Sequence, residues 1–271
     1  MNEYELIDSG NGRKLEKFGP YMLSRPCSQA VWKMQSSQKV WEEADAVFTR
    51  EEKGEWSFKT KLPEEWEIRV EGFVMKIHLT DFGHVGVFPE QQALWRRLLE
   101  LSNSSHRVLN LFAYSGGSTL ACAQTGAQVC HLDASKGMVQ WARENAELSG
   151  LEGAPVRWIV EDAMKFLKRE IKRGSRYHSI ILDPPSFGRG SKGEVFKIER
   201  DIQSLLSLCG ECLEKDPAYL LFSCHTPGFT PTTLSHLLED ILPQGKIDKG
   251  EMTLNGSRAV PSGCYAMWRR G

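Results

Sequence analysis

Arg107 to Asp133, RVLNLFAYSGGSTLACAQTGAQVCHLD, decides the fold. Val108, Leu109, Leu111 and Phe112 form a short apolar run, the pattern of a strand buried on both faces. Ser115-Gly116-Gly117-Ser118 breaks the run. Two glycines permit a tight turn and let a ligand approach the main chain where no Cβ intervenes. Ser115 or Ser118 is placed to cap the helix that follows, and Gly126 to close it. Gln128 to Leu132 reads as a second strand, and it ends in Asp133. Ligands of a parallel sheet bind beyond the carboxyl ends of its strands. A carboxylate there can accept hydrogen bonds from both hydroxyls of a ribose, which points to an adenosine-containing cofactor. The stretch lacks the G-x-G-x-x-G that seats a pyrophosphate at a helix start, which counts against a nicotinamide dehydrogenase.

Working outward, strands and helices alternate to the end of the chain. Ser135 to Leu148 reads as a helix stopped by Gly150, Val156 to Val160 as the third strand, and Ala163 to Arg173 as a helix. His178 to Leu182 is the fourth strand, Ile198 to Leu213 a helix, Tyr219 to Cys224 the fifth strand, Thr233 to Ile241 a helix, and Gly263 to Arg269 a last strand. Such alternation predicts an α/β fold with a mostly parallel sheet covered on both faces.

Residues 1–75 differ. Tyr4–Asp8 and Arg13–Phe18 flank Ser-Gly-Asn-Gly, a hairpin signal. Tyr21–Leu23, Ala30–Lys33 and Trp56–Thr60 are further short strand candidates, and Trp41–Arg50 is helix-like. Trp66–His78 alternates and reads as a hairpin turning at Gly72. These features predict a small antiparallel β domain over 1–75, with Trp32, Trp41, Trp56 and Trp66 in its core, and a second domain over 76–271. Asp81 to Gln91 forms the junction, leading into a helix with Leu94, Leu98 and Leu101 on one face.

Composition bounds the function. The chain has 271 residues, 41% hydrophobic and 25% charged, with a net charge of −1; its pI is about 6.7. That balance supplies no general attraction to nucleic acid, so any such binding comes from a local patch. No apolar run is long enough to span a bilayer, and the polar, acidic start lacks the layout of a signal peptide, so the cytoplasm is expected and a membrane partner is not. Seven scattered cysteines read as reduced thiols, with Cys209-x-x-Cys212 in an apolar helical pattern rather than a metal or redox motif. The histidines show no metal-ligand spacing. Either a monomer or a homodimer is compatible with these features.

Asp183-Pro184-Pro185-Ser186-Phe187 closes the fourth strand. Consecutive prolines fix the exit direction and remove two donors, holding Asp183 and the Pro184 carbonyl over the sheet edge. There they can hydrogen-bond a planar amino group or ring NH while Phe187 stacks on the ring. Asp162 follows the third strand as an adenine-side acid, a helix N-cap, or both. Cys224 ends the fifth strand, either as a nucleophile beside His225 or as a small buried hydrophobe. Arg189, Lys192, Lys197 and Arg200 follow the Asp-Pro-Pro turn and suit phosphate contacts better than the run from Lys165 to Arg176, which reads as a solvated helix face.

As a set, these stretches resemble the class I S-adenosylmethionine-dependent methyltransferases. More narrowly they resemble the bacterial 23S rRNA methyltransferases that modify cytosine C5 or guanine N7 of the large subunit. The resemblance runs from about His84 to the end. It implies a seven-stranded Rossmann-like sheet and S-adenosylmethionine as cofactor. It further implies that Gly83 to Gln91, with Phe88 and Gln91, closes over that cofactor. Asn110, Phe112, Ala113, Tyr114, Ser115 and Gly116 then form its loop, Asp133, Ala134 and Ser135 its ribose turn, and Asp162 and Ala163 its adenine side. Asp183 lies between cofactor and acceptor base, with Pro184, Phe187 and Cys224 on the catalytic side. Relatives that make 5-methylcytosine carry Lys after Asp-Pro-Pro, where this chain has Ser186, closer to the guanine-N7 type. Residues 1–75 do not resemble the N-terminal RNA-binding domain that many relatives carry. The expected activity is methyl transfer to a nucleobase, in ribosomal RNA. The rivals are a methyltransferase acting on a small molecule or a protein, and a cofactor-binding module without catalysis.

Overall fold

A computed structural model describes residues 2–50, 54–189, 193 and 195–271. By internal contacts the chain divides into two units, residues 1–92 with 253–262, and residues 93–252 with 263–271. Position 75, the boundary placed from sequence, lies inside the strand Phe73–His78.

The first unit holds β1 (Tyr4–Gly10), β2 (Arg13–Phe18), β3 (Tyr21–Pro26), α1 (Gln38–Glu42), β4 (Ala46–Thr49), β5 (Glu55–Phe58), β6 (Glu65–Val70) and β7 (Phe73–His78). β1 to β5 form one sheet in that order and β6–β7 a separate hairpin. Asn11 and Gly12 both take left-handed φ, 51° and 77°, as the tight β1–β2 turn demands. Leu15, Phe18, Leu23, Phe48, Ile68, Phe73, Met75 and Ile77 form the buried interior.

Three sequence expectations for this unit are corrected. Trp41–Arg50 is not one helix. α1 stops at Glu42, and Ala46 and Phe48 alternate in burial with Val47 and Thr49, the two-residue period of a strand. Ala30–Lys33 forms no strand; it folds over the first hairpin, with the Asn11 amide donating to the Trp32 carbonyl and the Gly12 amide to that of Ala30. The four tryptophans are half-buried rather than fully enclosed, Trp32 packing against a buried cluster, and each indole N–H donates to an acceptor: Ser9 O, Asp8 Oδ2, Thr80 O and Phe18 O respectively.

The second unit begins with α2 (Gln92–Leu101) and continues with β8 (Arg107–Leu111), α3 (Gly117–Gln124), β9 (Gln128–Asp133), α4 (Lys136–Leu148), β10 (Val156–Val160), α5 (Ala163–Lys172) and β11 (Ser179–Leu182). A hairpin of β12 (Phe187–Arg189) and β13 (Val195–Lys197) leads to α6 (Ile198–Cys212), β14 (Tyr219–Cys224), α7 (Pro231–Ile241), β15 (Lys246–Leu254) and β16 (Val260–Arg269). The seven-stranded sheet runs β10-β9-β8-β11-β14-β16-β15. The first five strands are mutually parallel, and β16 is antiparallel to β14. This is the α/β architecture expected from the alternation. β11 and β14 are buried along their whole length, as strands covered on both faces must be. β8 has β9 on one side and β11 on the other, so the chain's winding reverses beside it, and the crevice for a ligand opens at the carboxyl ends there.

The short strands β12 and β13 and the nine-residue β15 were not expected. The first two carry too few apolar residues to show a period. Among the described residues, no helix is long and apolar enough to cross a membrane, and no group of three or more His, Cys, Asp or Glu is placed to hold a metal ion. All seven cysteines are free and buried. Burial pushes the Cys209 thiol up and that of Cys212 up to about 11, which fits packing rather than chemistry.

Candidate active site

Because five parallel strands end at one edge, the sheet itself collects the polar residues found in sequence. Along that edge stand Asp162 after β10, Asp133 at the tip of β9, the 112–116 loop after β8, Asp183 after β11 and Cys224 at the tip of β14.

The loop is strained where the ligand crevice opens. Phe112 and Tyr114, neither a glycine, have φ of 55° and 49°, and Gly116 has 94°. Such conformations persist only where the surroundings enforce them. Here the Ala113 amide donates to Leu132 O, the Tyr114 amide to Asp133 Oδ2 at 3.0 Å, and buried Asn145 Nδ2 to Ser115 O at 2.8 Å. Beneath the loop, Asn110 Nδ2 donates to Thr119 Oγ1, and Thr119 Oγ1 meets His131 Nδ1, each at 2.9 Å in the interior. Asn110, expected at the cofactor, is thus placed as the loop's buried support. Asn145, Thr119 and His131 were missed in sequence, since a lone polar residue in an apolar pattern gives no signal of what it holds.

The two glycines serve packing. A Cβ at Gly117 would lie 2.4 Å from the Trp95 ring, and one at Gly116 would lie 3.0 Å from Ala142 Cβ. Neither Ser115 nor Ser118 caps α3. Gly116 occupies the N-cap with no side-chain hydrogen bond, because the left-handed φ required there suits glycine. Gly126, at φ 80°, closes the helix as expected.

Asp133 is organised from below. Its Oδ1 accepts the Ser135 amide at 2.8 Å and its Oδ2 the Tyr114 amide. Burial raises its carboxyl above the ordinary range, opposed by the amides of Ser135, Tyr114 and Ala134. Each oxygen keeps a lone pair, so the group can accept both hydroxyls of a ribose. Ser135 also caps α4. Asp162 Oδ1 accepts the Lys165 amide at 2.9 Å, so the N-cap role holds, with Ala163 buried behind it.

On the far side of the loop, Pro184 is buried and Phe187 is 49% exposed. Ser186 Oγ and Thr226 Oγ1 are 2.8 Å apart, tying the Asp-Pro-Pro turn to the exit of β14. Phe196 of β13 packs on Phe112, with ring centroids 5.5 Å apart. Cys224 is 1% exposed. Burial pushes its thiol up, and Asp183 and Glu199 add to that, while hydrogen bonds from Thr226 oppose it. Of the basic group, Arg189 and Lys197 are exposed, Arg200 binds Asp201 at 2.7 Å, and Lys192 lies outside the described residues. Phe88 and Gln91 belong to the first unit, at the two ends of a short 3-10 turn.

A parallel-stranded edge that gathers a strained loop, a carboxylate at a strand tip and an Asp-Pro-Pro exit defines a ligand-binding α/β protein. Comparison with known proteins gives the family. Residues 27–240 match the S-adenosylmethionine-dependent methyltransferase family, and the chain belongs to it. A solved S-adenosylmethionine-dependent methyltransferase from Agrobacterium tumefaciens is 38% identical, with a TM-score of 0.95 over 100% of this chain and 91% of that one. The protein SMU.776, crystallised in complex with SAH, shares the fold at 20% identity, with a TM-score of 0.80 over 98% of this chain and 75% of that one. Among curated relatives, ribosomal RNA large subunit methyltransferase K/L of Pseudoalteromonas atlantica is 31% identical over 72% of this chain, which spans 26% of that protein's length. S-adenosylmethionine is the cofactor, as the sequence resemblance implied.

Proposed function

We propose that this protein transfers a methyl group from S-adenosylmethionine to a nucleobase in RNA, with ribosomal RNA as the substrate class, and that the acceptor atom is nitrogen. One observation carries the reading. Asp133 and Asp183 flank the strained loop at the ends of β9 and β11, the strands on either side of β8, and the exposed Phe187 stands just beyond. This arrangement supports separate seats for cofactor and planar acceptor on one edge. The cofactor supplies an electrophilic methyl carbon. The chain's residues do the rest. Asp133 and the 112–116 loop hold the adenosine, with Asp162 and Ala163 on the adenine side and Ala134 and Ser135 at the ribose turn. Asp183 and the Pro184 carbonyl orient the base, and Phe187 stacks on it. Orientation in line with the leaving sulfur is the main contribution such a site makes.

Nitrogen is favoured over cytosine C5 by Cys224. Carbon methylation needs a thiolate to add to the ring, and burial with two carboxylates nearby keeps this thiol protonated. RNA is favoured by the relatives named for ribosomal RNA, and the exposed Arg189 and Lys197 of the hairpin are read as its phosphate contacts, Arg189 lying over the Phe187 ring with 5.8 Å to its centroid. In this reading residues 76–271 carry catalysis, residues 1–75 form an accessory β domain, and the protein works in the cytoplasm. The test is to incubate the protein and labelled S-adenosylmethionine with RNA from cells lacking the gene, then map the modified nucleotide. Label entering protein or small molecules but not RNA would overturn it.

A further inference from the structure

Asp183 and His225 leave adjacent strands, β11 and β14, at the same edge. His225 Nε2 stands 3.6 Å from Asp183 Oδ2, with the two side chains 33% and 24% exposed. That distance is longer than a hydrogen bond and closes with a small side-chain movement. The imidazole is seated rather than loose. Gly263 of β16, at φ +132°, lies against it. A Cβ there would come within 3.0 Å of His225 Nδ1 and 2.8 Å of the Cys224 carbonyl oxygen. The neighbouring strand thus gives up its side chain where the ring lies. Carboxylates act on the two thiols of this corner, Asp183 and Glu199 of α6 on Cys224, and Asp183 and Glu251 of β15 on Cys264. The remaining titratable neighbours, Cys224 and Cys264, are held as thiols by burial. An imidazolium formed here is met by anions.

Sheet order adds the decisive constraint. The cofactor loop follows β8, Asp183 follows β11 and His225 follows β14, each one strand further along. His225 thus stands beside Asp183, on the side away from the loop. We propose that His225 is the positioning partner of Asp183 and the final holder of a proton released on methylation, so that the acceptor is a nitrogen bearing hydrogen, such as an exocyclic amine. This rests on the nucleobase reading above.

The step balances. The nitrogen lone pair forms the N–C bond to the methyl carbon as the C–S bond breaks, its electron pair remaining on the now neutral sulfur. The nitrogen, now positive, keeps its N–H bonding pair and releases the proton to Asp183 Oδ2. The proton passes to His225 Nε2, and water takes it at the ring's exposed edge. A base that titrates near neutral pH holds such a proton better than a carboxylate. An acceptor without hydrogen, such as guanine N7, releases no proton and leaves His225 idle.

The test uses the full chain, the RNA it methylates, and single-turnover rates from about pH 5.5 to 9, spanning the histidine range. The wild-type rate is expected to rise with pH through that range and then level. His225→Gln lowers the plateau by about tenfold or more and removes the rise, while the Kd for S-adenosylhomocysteine stays at the wild-type value. Added imidazole restores His225→Ala, and Gly263→Ala, which displaces the ring, loses the same pH limb. The product nucleoside carries its methyl on an amino group. His225→Gln with wild-type rate and pH profile, no rescue of His225→Ala by imidazole, or a product methylated on a ring nitrogen without hydrogen overturns the inference and leaves the RNA reading standing. A wild-type protein that methylates no RNA at all overturns the RNA reading, and the inference with it.

Discussion

The Tyr114 amide donates to Asp133 Oδ2 across 3.0 Å, joining the strained loop after β8 to the carboxylate that ends β9. One carboxylate thus fixes the loop and, in the function proposed above, accepts the ribose hydroxyls. Asp133→Ala removes both functions. Calorimetry with S-adenosylhomocysteine is expected to show affinity weakened by about 1–3 kcal/mol, the loss for charged hydrogen bonds. The carboxyl is raised by burial, so wild-type affinity falls on acidification at a pH above the ordinary carboxylate range. Unchanged affinity in the variant would remove Asp133 from the ribose site.

Gly117→Ala tests what the glycines are for. Its Cβ would collide with Trp95 at 2.4 Å, so the cofactor-free protein itself should lose about 1–3 kcal/mol, as overpacked sites do. Urea unfolding without cofactor measures this. Full stability, with only cofactor binding impaired, would restore the ligand-approach role.

His131 sets an acid limit. It is fully buried, and burial pushes its imidazole down to about 3. In the unfolded chain a histidine titrates near about 6.5. Below that pH the unfolded chain binds the proton first, so the stability of the neutral buried ring is complete above about 6.5 and is lost as pH falls toward 3. Urea midpoints should decline from pH 7 to 5 and decline less in His131→Gln. Asp133 works in the opposite sense, its raised carboxyl favouring the fold on acidification, and both proteins share it. Equal slopes in the two proteins would contradict the assignment.

Asp183 separates binding from chemistry. Asp183→Ala is expected to cut turnover by at least about a hundredfold while cofactor affinity stays within a few-fold, as for a group that acts on the acceptor. Parallel losses in both would place Asp183 in the cofactor pocket instead.

Cys224 decides between carbon and nitrogen. Cys224→Ser should keep most of the activity, and RNA containing 5-fluorocytidine should form no denaturation-resistant adduct with the wild type. A dead Cys224→Ser and a trapped wild type would together establish the cytosine-C5 route.

The sequence by itself determined the succession of the five parallel strands, the helix stops at Gly126 and Gly150, and the aspartates at strand tips. The reason is that apolar period, glycine φ and capping are local properties, complete within a few residues. It also determined the β1–β2 and β6–β7 hairpins, whose turns are written in Asn11-Gly12 and Gly72. Tertiary structure decided what depends on distant neighbours. Trp41–Arg50 has helical composition, yet β3 and β5 recruit Ala46–Thr49 as a strand between them. Gly116 and Gly117 also answer to packing, because Ala142 and Trp95, far along the chain in either direction, occupy the space a side chain would need. Asn145 beneath Ser115, and His225 beside Asp183 over a bare Gly263, have no sequence signature, because only the folded sheet brings residues so far apart in the chain to one edge.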